Sequence, residues 1–262
     1  ELRAMGADLT RYIGSHPMAG RERGGAVAAR ADLFDGRPWV IAGHDMISYR
    51  RAAPLENLVL DLGAIPIEMD AAEHDASVAL VSHVPQVVAS LLAARLVGAS
   101  DSAVALAGQG LRDTTRIASS APELWVQILA ANSASVVAIL EQYRDDLDGL
   151  IDALANPTAT GARRTIAQTI AGGNAGVTRI PGKHGQAGHF SQLVIKVNDT
   201  PGELARLLSE IGATGVNMED LRLEHSPGAQ FGLAEISVLP EAESVLATEL
   251  AAGGWEIVGA TA

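Results

Sequence analysis

A nearly continuous helical pattern over residues 70–158 restricts the possible folds more than any other part of the chain. Residues 72–96 form one long apolar segment, in which Pro85 removes a backbone hydrogen bond and is expected to kink the helix. Residues 123–155 are predicted to form a longer helix with a wide apolar stripe. Such faces indicate an all-helical domain, assigned to residues 70–160, that a second subunit covers, so we expect a homodimer.

Residues 1–69 alternate between strand-like and helix-like patterns, as expected for one part of an α/β domain. The predicted strands are 11–14, 38–42 and 64–69, and the predicted helices are 2–9, 25–33 and 55–62. Gly63 lies where a glycine commonly ends a helix. We interpret this region as the later strands of a doubly wound, Rossmann-type sheet. Because the chain opens on Glu1, we expect it to be part of a longer protein.

The pattern changes twice more towards the C-terminus. Residues 161–190 are rich in Gly, Ala and Thr and contain four basic residues without a carboxylate. They are predicted to form a linker, either a solvated tether or a segment lying against the acidic remainder of the protein. Residues 191–262 follow the order strand, helix, strand, strand, helix, strand, which predicts a βαββαβ domain.

The composition excludes several classes of function. The chain has no cysteine, which excludes disulfides, thiolate catalysis and cysteine-bound zinc, and a cytoplasmic protein fits best. Its net charge of −12 argues against nucleic acid as the main partner. No run of eighteen apolar residues and no basic, apolar leader is seen, so we expect no membrane association.

Residues 12–22 contain the strongest candidate for acid–base chemistry. His16 stands next to Pro17, between Gly14 and Gly20, in a segment that ends on Glu22. Glycine allows close backbone approach and proline restricts φ, so a shaped turn presents the imidazole. Such a histidine can exchange a proton near neutral pH. The alternative is a structural loop in which the histidine is incidental.

Two further histidines lie in the long helical segment. His74 and His83 are nine residues apart, which places them on opposite faces of an unbroken helix. A metal site formed by these two side chains is therefore not expected. His83, beside the expected kink, is a candidate for facing a ligand, and the alternative is a histidine satisfied within the core.

A pair of arginines could recognise a dicarboxylate. Arg112 and Arg116 share one helix face if residues 112–116 are helical, and guanidinium groups bind carboxylates through two parallel hydrogen bonds. The alternative is an ordinary ion pair between Asp113 and Arg116. The preceding Gly108-Gln109-Gly110 lacks a third glycine and follows no strand, so it does not predict a phosphate loop.

Taken in order, several segments resemble the prephenate/arogenate dehydrogenase family of tyrosine biosynthesis. They are GSHPMAGRE at 14–22, HD at 74–75, SHVPQ at 82–86, GLRDTTRIA at 110–118 and ELW at 123–125. Residues 191–258 resemble an ACT domain, a regulatory module that usually binds an amino acid, through DTPGEL at 199–204 and GVNMEDLRLE at 215–224. The first resemblance spans residues 1–158.

The resemblance implies oxidative decarboxylation of prephenate to 4-hydroxyphenylpyruvate with NAD or NADP. His16 would accept the proton of the substrate hydroxyl as hydride leaves, and Arg116 would hold a substrate carboxylate. Glu22 and Asp113 match positions proposed to form an ionic gate over the pocket. The other substrate-binding residues that the resemblance implies are Ser15, His83, Gln86 and Trp125.

Two departures from the family pattern leave alternatives open. Many relatives have histidine where this chain has Gln86, so the choice between prephenate and arogenate, a keto or an amino substrate, is undecided. The glycine-rich turn that binds a dinucleotide is absent from the sequence. The chain is then either a truncated dehydrogenase or a non-catalytic, amino-acid-sensing dimerisation protein, and we favour the former.

In the ACT-like region, three residues match positions that commonly hold an amino-acid ligand. They are Asp199, Gly202 and Asn217, and the expected effector is an aromatic amino acid, tyrosine or phenylalanine. Asp199 could equally cap a helix or stabilise a turn, and Asn217 could be an ordinary turn residue.

Overall fold

The structure is a computed structural model that describes residues 2–20, 29–47, 49–180, 190–225 and 229–261. The chain divides into two compact units. The first comprises residues 1–99 and 113–148, and the second comprises residues 100–112 and 149–262. The predicted boundary at residues 69 and 70 falls inside the first unit.

A three-stranded sheet forms the N-terminal part of the first unit. Its strands are β1 (Gly14–Pro17), β2 (Pro38–Gly43) and β3 (Ile65–Asp70), and α1 (Ala53–Asp61) follows a 3-10 turn at Tyr49–Ala52. Strand β2 is central, antiparallel to β1 and parallel to β3. Ile41 and Val59 are fully buried between the sheet and α1. Gly63 ends α1 with φ +73°, as its position predicts.

Helices make up the rest of the first unit. They are α2 (Ala71–Val78), α3 (Val84–Ala94), α5 (Gln109–Thr115), α6 (Pro122–Ala131) and α7 (Ser133–Ala155), of which α5 and α7 continue into the second unit. The short α4 (Asp101–Val104) belongs to the second unit. A wide π-turn at Ala79–His83 joins α2 to α3, and a 3-10 turn at Arg116–Ser119 follows α5. Ala79, Val84 and Val136 form a small apolar cluster.

The C-terminal part of the second unit has the predicted βαββαβ order. Its elements are β4 (Ser191–Asn198), α9 (Glu203–Ala213), β5 (Asp220–His225), β6 (Phe231–Val238), α10 (Pro240–Ala252) and β7 (Glu256–Thr261), with α8 (Ala162–Val177) before them. The strands form an antiparallel sheet in the order β5-β6-β4-β7. Alternate residues of β4 are buried, so one face of the sheet packs against α9 and α10.

Four predicted elements near the N-terminus and in the linker differ from the structure. The strand predicted at 11–14 starts only at Gly14 and runs to Pro17. Residues 2–6 form a turn, because Gly6 adopts φ +73° and ends the helical run that the pattern of residues 2–9 predicts. Residues 29–33 of the helix predicted at 25–33 are not helical, and residues 25–28 lie outside the described part. Within the predicted linker, Ala162–Val177 forms the helix α8, an element that was not predicted from the sequence.

The long helix predicted at 123–155 is also wrong, because it breaks at Asn132. The axes of α6 and α7 differ by 93° across this residue. The apolar pattern continues through the break because both helices use it to pack. Pattern alone therefore does not reveal the change of direction.

One helical stretch, Ala71–Ala94, has the length and apolar character of a membrane span, and α6 and α7 would pass the same test only as one bent pair. Core helices of proteins in water also meet this criterion, so the finding by itself places nothing in a membrane.

Candidate functional site

Strand β1 positions His16. Its backbone pairs with Val40 of β2, and the bond from the Met18 N–H to the Pro38 carbonyl, at 2.8 Å, fixes the chain just after Pro17. Since side chains alternate along a strand, His16 and Ser15 point to opposite sides of the sheet. The predicted turn is therefore a short edge strand, and it directs the imidazole into a cavity.

Helix α2 places a second histidine against the first. Asp70 caps this helix by accepting a hydrogen bond from the Glu73 N–H at 2.8 Å, and α2 begins directly after β3. His74 Nε2 then lies 2.8 Å from His16 Nδ1, and His74 Nδ1 lies 2.9 Å from Asp75 Oδ1. A carboxylate and two imidazoles thus form one continuous chain of hydrogen bonds.

The π-turn brings His83 to the same site. The Val84 N–H bonds to the Ala79 carbonyl, five residues back, and Pro85 follows with no N–H to donate. This turn interrupts the unbroken helix on which the expectation of opposite faces for His74 and His83 depended. Both histidines are close enough to act electrostatically on His16.

His83 is buried and its ring is held on two sides. It is 8% exposed, its Nδ1 lies 3.3 Å from the amide nitrogen of Asn132, and its ring meets that of Trp125 edge to face at 6.2 Å. The Asn132 amide also donates to the Asp75 carbonyl at 2.7 Å. Because the amide nitrogen is a donor, His83 Nδ1 accepts and its ring proton lies on Nε2.

Gln86 is a buried polar side chain with long hydrogen bonds. Its amide nitrogen lies 3.3 Å from Ser90 Oγ, and its amide oxygen lies 3.4 Å from Ser120 Oγ. The Ser120 hydroxyl has one proton and makes a shorter bond, 2.8 Å, to the Ile117 carbonyl. Gln86, only 6% exposed, therefore keeps hydrogen-bonding capacity for another partner.

These side chains surround one cavity of about 480 Å³ in the first unit. Its polar lining is His16, Ser82, His83, Gln86 and Ser120, and its apolar lining is Met18, Val81, Pro85, Ile117, Leu124, Trp125 and Ile128, with Gly20 at the edge. An apolar pocket with a few convergent polar groups is the usual form of a small-molecule site.

Both cavity histidines favour the neutral form. Burial lowers the pKa of His16, and the neighbouring His74 and His83 lower it further. Burial also lowers the pKa of His83, with a further contribution from His74, while Asp75 opposes the shift. A neutral imidazole can accept a proton, so the site offers a base rather than a fixed cation.

The other predicted residues of this region have different positions. Ser15 precedes His16 in β1 but does not line the cavity. Arg116 begins the 3-10 turn, and the next residue of this turn, Ile117, lines the cavity. Arg116 and Asp113 are exposed, and Asp113 belongs to α5. Glu22 lies outside the described residues. The substrate-binding and gate roles of these residues stay predictions.

The three predicted effector residues lie in the second unit. Asp199 is exposed in the turn after β4, Gly202 adopts φ +96° directly before α9, and Asn217 is exposed with its amide nitrogen 3.0 Å from Glu219 Oε1. A left-handed φ of this size strongly favours glycine. The turn is thus well defined, and its ligand-binding role stays a prediction.

Sequence reasoning missed Asn132 and gave His74 no role. The apolar pattern runs through the break, but Asn132 and Ser133 are residue types that favour helix ends, so the residue types did carry a signal for a break. No sequence signal shows that His74 meets His16, 58 residues earlier. Within the described residues, no group of three or more His, Cys, Asp or Glu side chains could hold a metal ion.

Comparison with known proteins matches the chain to two family profiles and several relatives. Residues 1–67 match "Prephenate dehydrogenase, nucleotide-binding domain", and residues 70–168 match "Prephenate dehydrogenase, dimerization domain". The chain is 35% identical to the probable prephenate dehydrogenase NovF of Streptomyces niveus, over 97% of this chain and 73% of that protein. It is 26% identical to the prephenate dehydrogenase of Bacillus subtilis, over 86% of this chain and 61% of that protein.

Solved structures show the same fold in part of the chain. Arogenate dehydrogenase from Synechocystis matches with a TM-score of 0.51 and 30% identity, over 63% of this chain and 61% of that one. Prephenate dehydrogenase from A. aeolicus, solved with hydroxyphenyl propionate and NAD+, matches with a TM-score of 0.54 and 24% identity, over 63% and 59%. The chain therefore spans about three-fifths of the length of these structures.

Proposed function

This chain belongs to the prephenate dehydrogenase family, and on that premise we propose that it takes part in the NAD(P)+-dependent oxidative decarboxylation of prephenate to 4-hydroxyphenylpyruvate. The observation that supports this most directly is His16. Its Nδ1 is engaged by His74, and it lines an apolar cavity with its other ring nitrogen available to a ligand. Arogenate is the alternative substrate.

The cavity suits a ring that carries few polar groups. Its apolar side chains would contact the cyclohexadiene, while His16, His83 and Gln86 would orient the hydroxyl and keto or amino groups. Arg116, next to Ile117 of the lining, would reach a carboxylate from the outside. The neutral Gln86 amide can hydrogen-bond either a keto oxygen or an amino group, so both substrates remain compatible with it.

The described residues fit one end of a nicotinamide cofactor. Met18 and Gly20 line the cavity beside His16, where an apolar side chain and a bare backbone leave room for a flat ring. A glycine-rich strand-to-helix turn for the pyrophosphate is not found in the described residues before α2. The cofactor, when bound, supplies the acceptor for hydride.

His16 would act as a temporary base. The ring carbon that bears the hydroxyl loses hydride, and His16 Nε2 takes up the hydroxyl proton as the C–O bond gains double-bond character. The substrate carboxylate leaves as carbon dioxide, and its bonding electrons make the ring aromatic. The phenolic oxygen then recovers a proton from His16, so none is released overall.

The test is turnover with each substrate and each cofactor. We expect reduced nicotinamide to form with prephenate or arogenate, and His16→Asn to abolish most of the rate while prephenate binding persists. Absence of turnover with both substrates and both cofactors, in protein whose cavity binds prephenate by calorimetry, would contradict the proposal. It would favour the amino-acid-sensing alternative.

We also propose a homodimer formed through the helical region. The match of residues 70–168 to a dimerization domain supports it, as do large apolar side chains left in solvent, among them Leu80, Val126 and Val137, which are 60%, 67% and 50% exposed. Sedimentation equilibrium should give twice the chain mass, and a monomer at micromolar concentration would contradict it.

An aromatic amino acid is the proposed effector of the βαββαβ region, which we interpret as an ACT domain. The element order and the antiparallel order of the four strands support this. The ligand carboxylate would meet the N-terminus of α9 after Gly202, and its amino group would meet Asp199. Calorimetry with tyrosine and phenylalanine should show heat that Asp199→Asn removes and the control Asp220→Asn retains. No heat with either amino acid would contradict it.

A further inference from the structure

We infer that Asp75 and His74 are positioning residues that set the proton arrangement of His16, so that its Nε2 accepts a hydrogen bond from the substrate. The inference rests on the proposed function for its catalytic consequence, but the proton arrangement itself can be measured in the protein without substrate. It assigns a role to the His-Asp pair at 74–75, which is not part of the lining of the cavity described above.

Asp75 determines which atom donates and which accepts in each hydrogen bond of the chain Asp75–His74–His16. An ionised carboxylate accepts hydrogen bonds and cannot donate them. Because Asp75 Oδ1 lies 2.9 Å from His74 Nδ1, the proton of neutral His74 must lie on Nδ1. His74 Nε2 is then an acceptor.

The acceptor role of His74 Nε2 then determines where the proton of His16 lies. His74 Nε2 lies 2.8 Å from His16 Nδ1, so His16 Nδ1 carries the proton and donates it to His74. A neutral imidazole has one N–H, which leaves His16 Nε2 as an acceptor. This is the tautomer that can take the proton of a substrate hydroxyl. The opposite tautomer would present an N–H and could not act as a base.

The pair also stabilises the charged state of the reaction. When His16 takes up a proton it becomes an imidazolium, whose Nδ1–H still points at His74. His74 is largely shielded, its side chain 18% exposed, whereas the Asp75 side chain is 55% exposed. The carboxylate lies at the outer end of the chain, where it can balance part of the positive charge without entering the cavity.

Substitutions at position 75 separate this role from a structural one. Asn offers a donor as well as an acceptor, so Asp75→Asn allows His74 to reverse and to donate its Nε2–H to His16. Asp75→Glu keeps a group that only accepts. Glu73→Gln is the matched control, because Glu73 is exposed on α2 two residues before Asp75 and its substitution also removes one negative charge near the helix N-terminus.

The first measurement is the ¹⁵N NMR spectrum of the histidine rings in the protein without substrate, at a pH where they are neutral. We expect the Nδ1–H tautomer at both His16 and His74, and a shift of His16 towards Nε2–H in Asp75→Asn. An Nε2–H tautomer at His16 in the unsubstituted protein would overturn the inference, whether or not the protein turns prephenate over.

The second measurement is steady-state kinetics of the same variants with the preferred substrate. We expect kcat to fall about tenfold or more in Asp75→Asn, with KM changed less than about threefold, because a wrong tautomer removes the base and not the binding contacts. Asp75→Glu should recover most of kcat, and Glu73→Gln should retain it. An unchanged kcat in Asp75→Asn, or a loss matched by a lower melting temperature with the tautomer unaltered, would also overturn the inference.

Failure of the proposed function has a different signature. If the unsubstituted protein shows no turnover with any substrate and cofactor, while the NMR spectrum has the expected tautomers, then the assignment of the reaction is wrong and the proton arrangement stands.

Discussion

The βαββαβ region buries apolar side chains almost exclusively, whereas the region of the histidine cavity also buries polar ones. In the former, eleven buried side chains make a single apolar cluster, which includes Leu193, Leu207 and Ile236 at 0% exposure. In the first unit, which contains the cavity, the described apolar clusters contain only four and three buried residues. Here His83 and Gln86 are themselves buried, although a polar side chain costs free energy to remove from water.

This contrast indicates that the packing around the cavity is less stabilising than that of the βαββαβ region, because the cavity needs polar side chains in fixed positions. Regular alternation along β4 and β6 lets one sheet face pack completely against two helices. The cavity instead depends on interruptions: a π-turn, a break at Asn132 and an exposed edge strand. Irregular backbone of this kind is common at functional sites because it aims side chains that a regular helix would point elsewhere. Four predictions test this difference.

The largest expected effect is on turnover. His16→Asn should lower kcat by about 10²- to 10⁴-fold, since it removes the proposed base while keeping a polar side chain of similar size. The melting temperature should change little, because His16 lies on a short edge strand and belongs to none of the described apolar clusters. Kinetics and differential scanning calorimetry on one sample measure both. Equal losses of rate and stability would indicate a structural histidine.

The next effect is on the stability of the βαββαβ core. Ile236→Ala should lower the free energy of unfolding by about 2 to 5 kcal/mol, because it leaves a cavity in a fully packed cluster. Val194→Ala, on the other face of the sheet, is the control and should cost clearly less. Urea denaturation followed by circular dichroism gives both values. A cost for Ile236→Ala no larger than that of the control would show that the core is looser than its burial indicates.

A smaller effect is expected at the break between α6 and α7. Asn132→Ala removes the donor to the Asp75 carbonyl and to His83 Nδ1, and should cost about 1 to 3 kcal/mol. Asn156→Ala, whose exposed side chain accepts a bond from Thr158, is the control, and its cost should stay within about 0.5 kcal/mol. Denaturation curves should be combined with the affinity for prephenate, which we expect to fall in Asn132→Ala only.

The smallest effect is the pH dependence of stability around the cavity. The pKa values of His16 and His83 are lowered in the folded state. As the pH falls through about 6.5, the unfolded chain therefore binds more protons than the folded protein does. The free energy of unfolding should therefore decrease below that pH and level off below the folded pKa values. Denaturation at pH 7.5, 6.5 and 5.5 measures the slope, which His83→Gln should reduce. A slope of the opposite sign would contradict the neutral assignment of both rings.

The sequence predicted the fold correctly in regions where the pattern of apolar residues is regular, and less well elsewhere. The βαββαβ order was readable because alternating burial in β4 and the amphipathic helix α9 leave clear periods of two and 3.6 in the residues. The same reasoning failed at residues 2–9, where Gly6 ends the helical run, and at residues 123–155, where one apolar pattern serves two helices at 93°.

Some residues of the candidate site could be predicted from the sequence, but their arrangement could not. His16 was identified from its glycine and proline neighbours and His83 from the expected kink, whereas Gln86 and Trp125 came from the family resemblance; the structure brings all four to one cavity. Their mutual geometry could not be predicted, because the expectation for His74 and His83 assumed an unbroken helix. The π-turn that interrupts this helix depends on how Pro85 and its neighbours pack, which residue types alone do not specify.

The sequence by itself determined the periods of burial, the order of the C-terminal elements and the residues able to accept a proton, because these follow from each residue and its near neighbours. Only the tertiary structure decided that His16 meets His74 across 58 residues, and that Asp75 ends this chain of hydrogen bonds. A proton's position on an imidazole depends on the partner that each nitrogen faces. Partners distant in the chain become neighbours only when the sheet and helices pack.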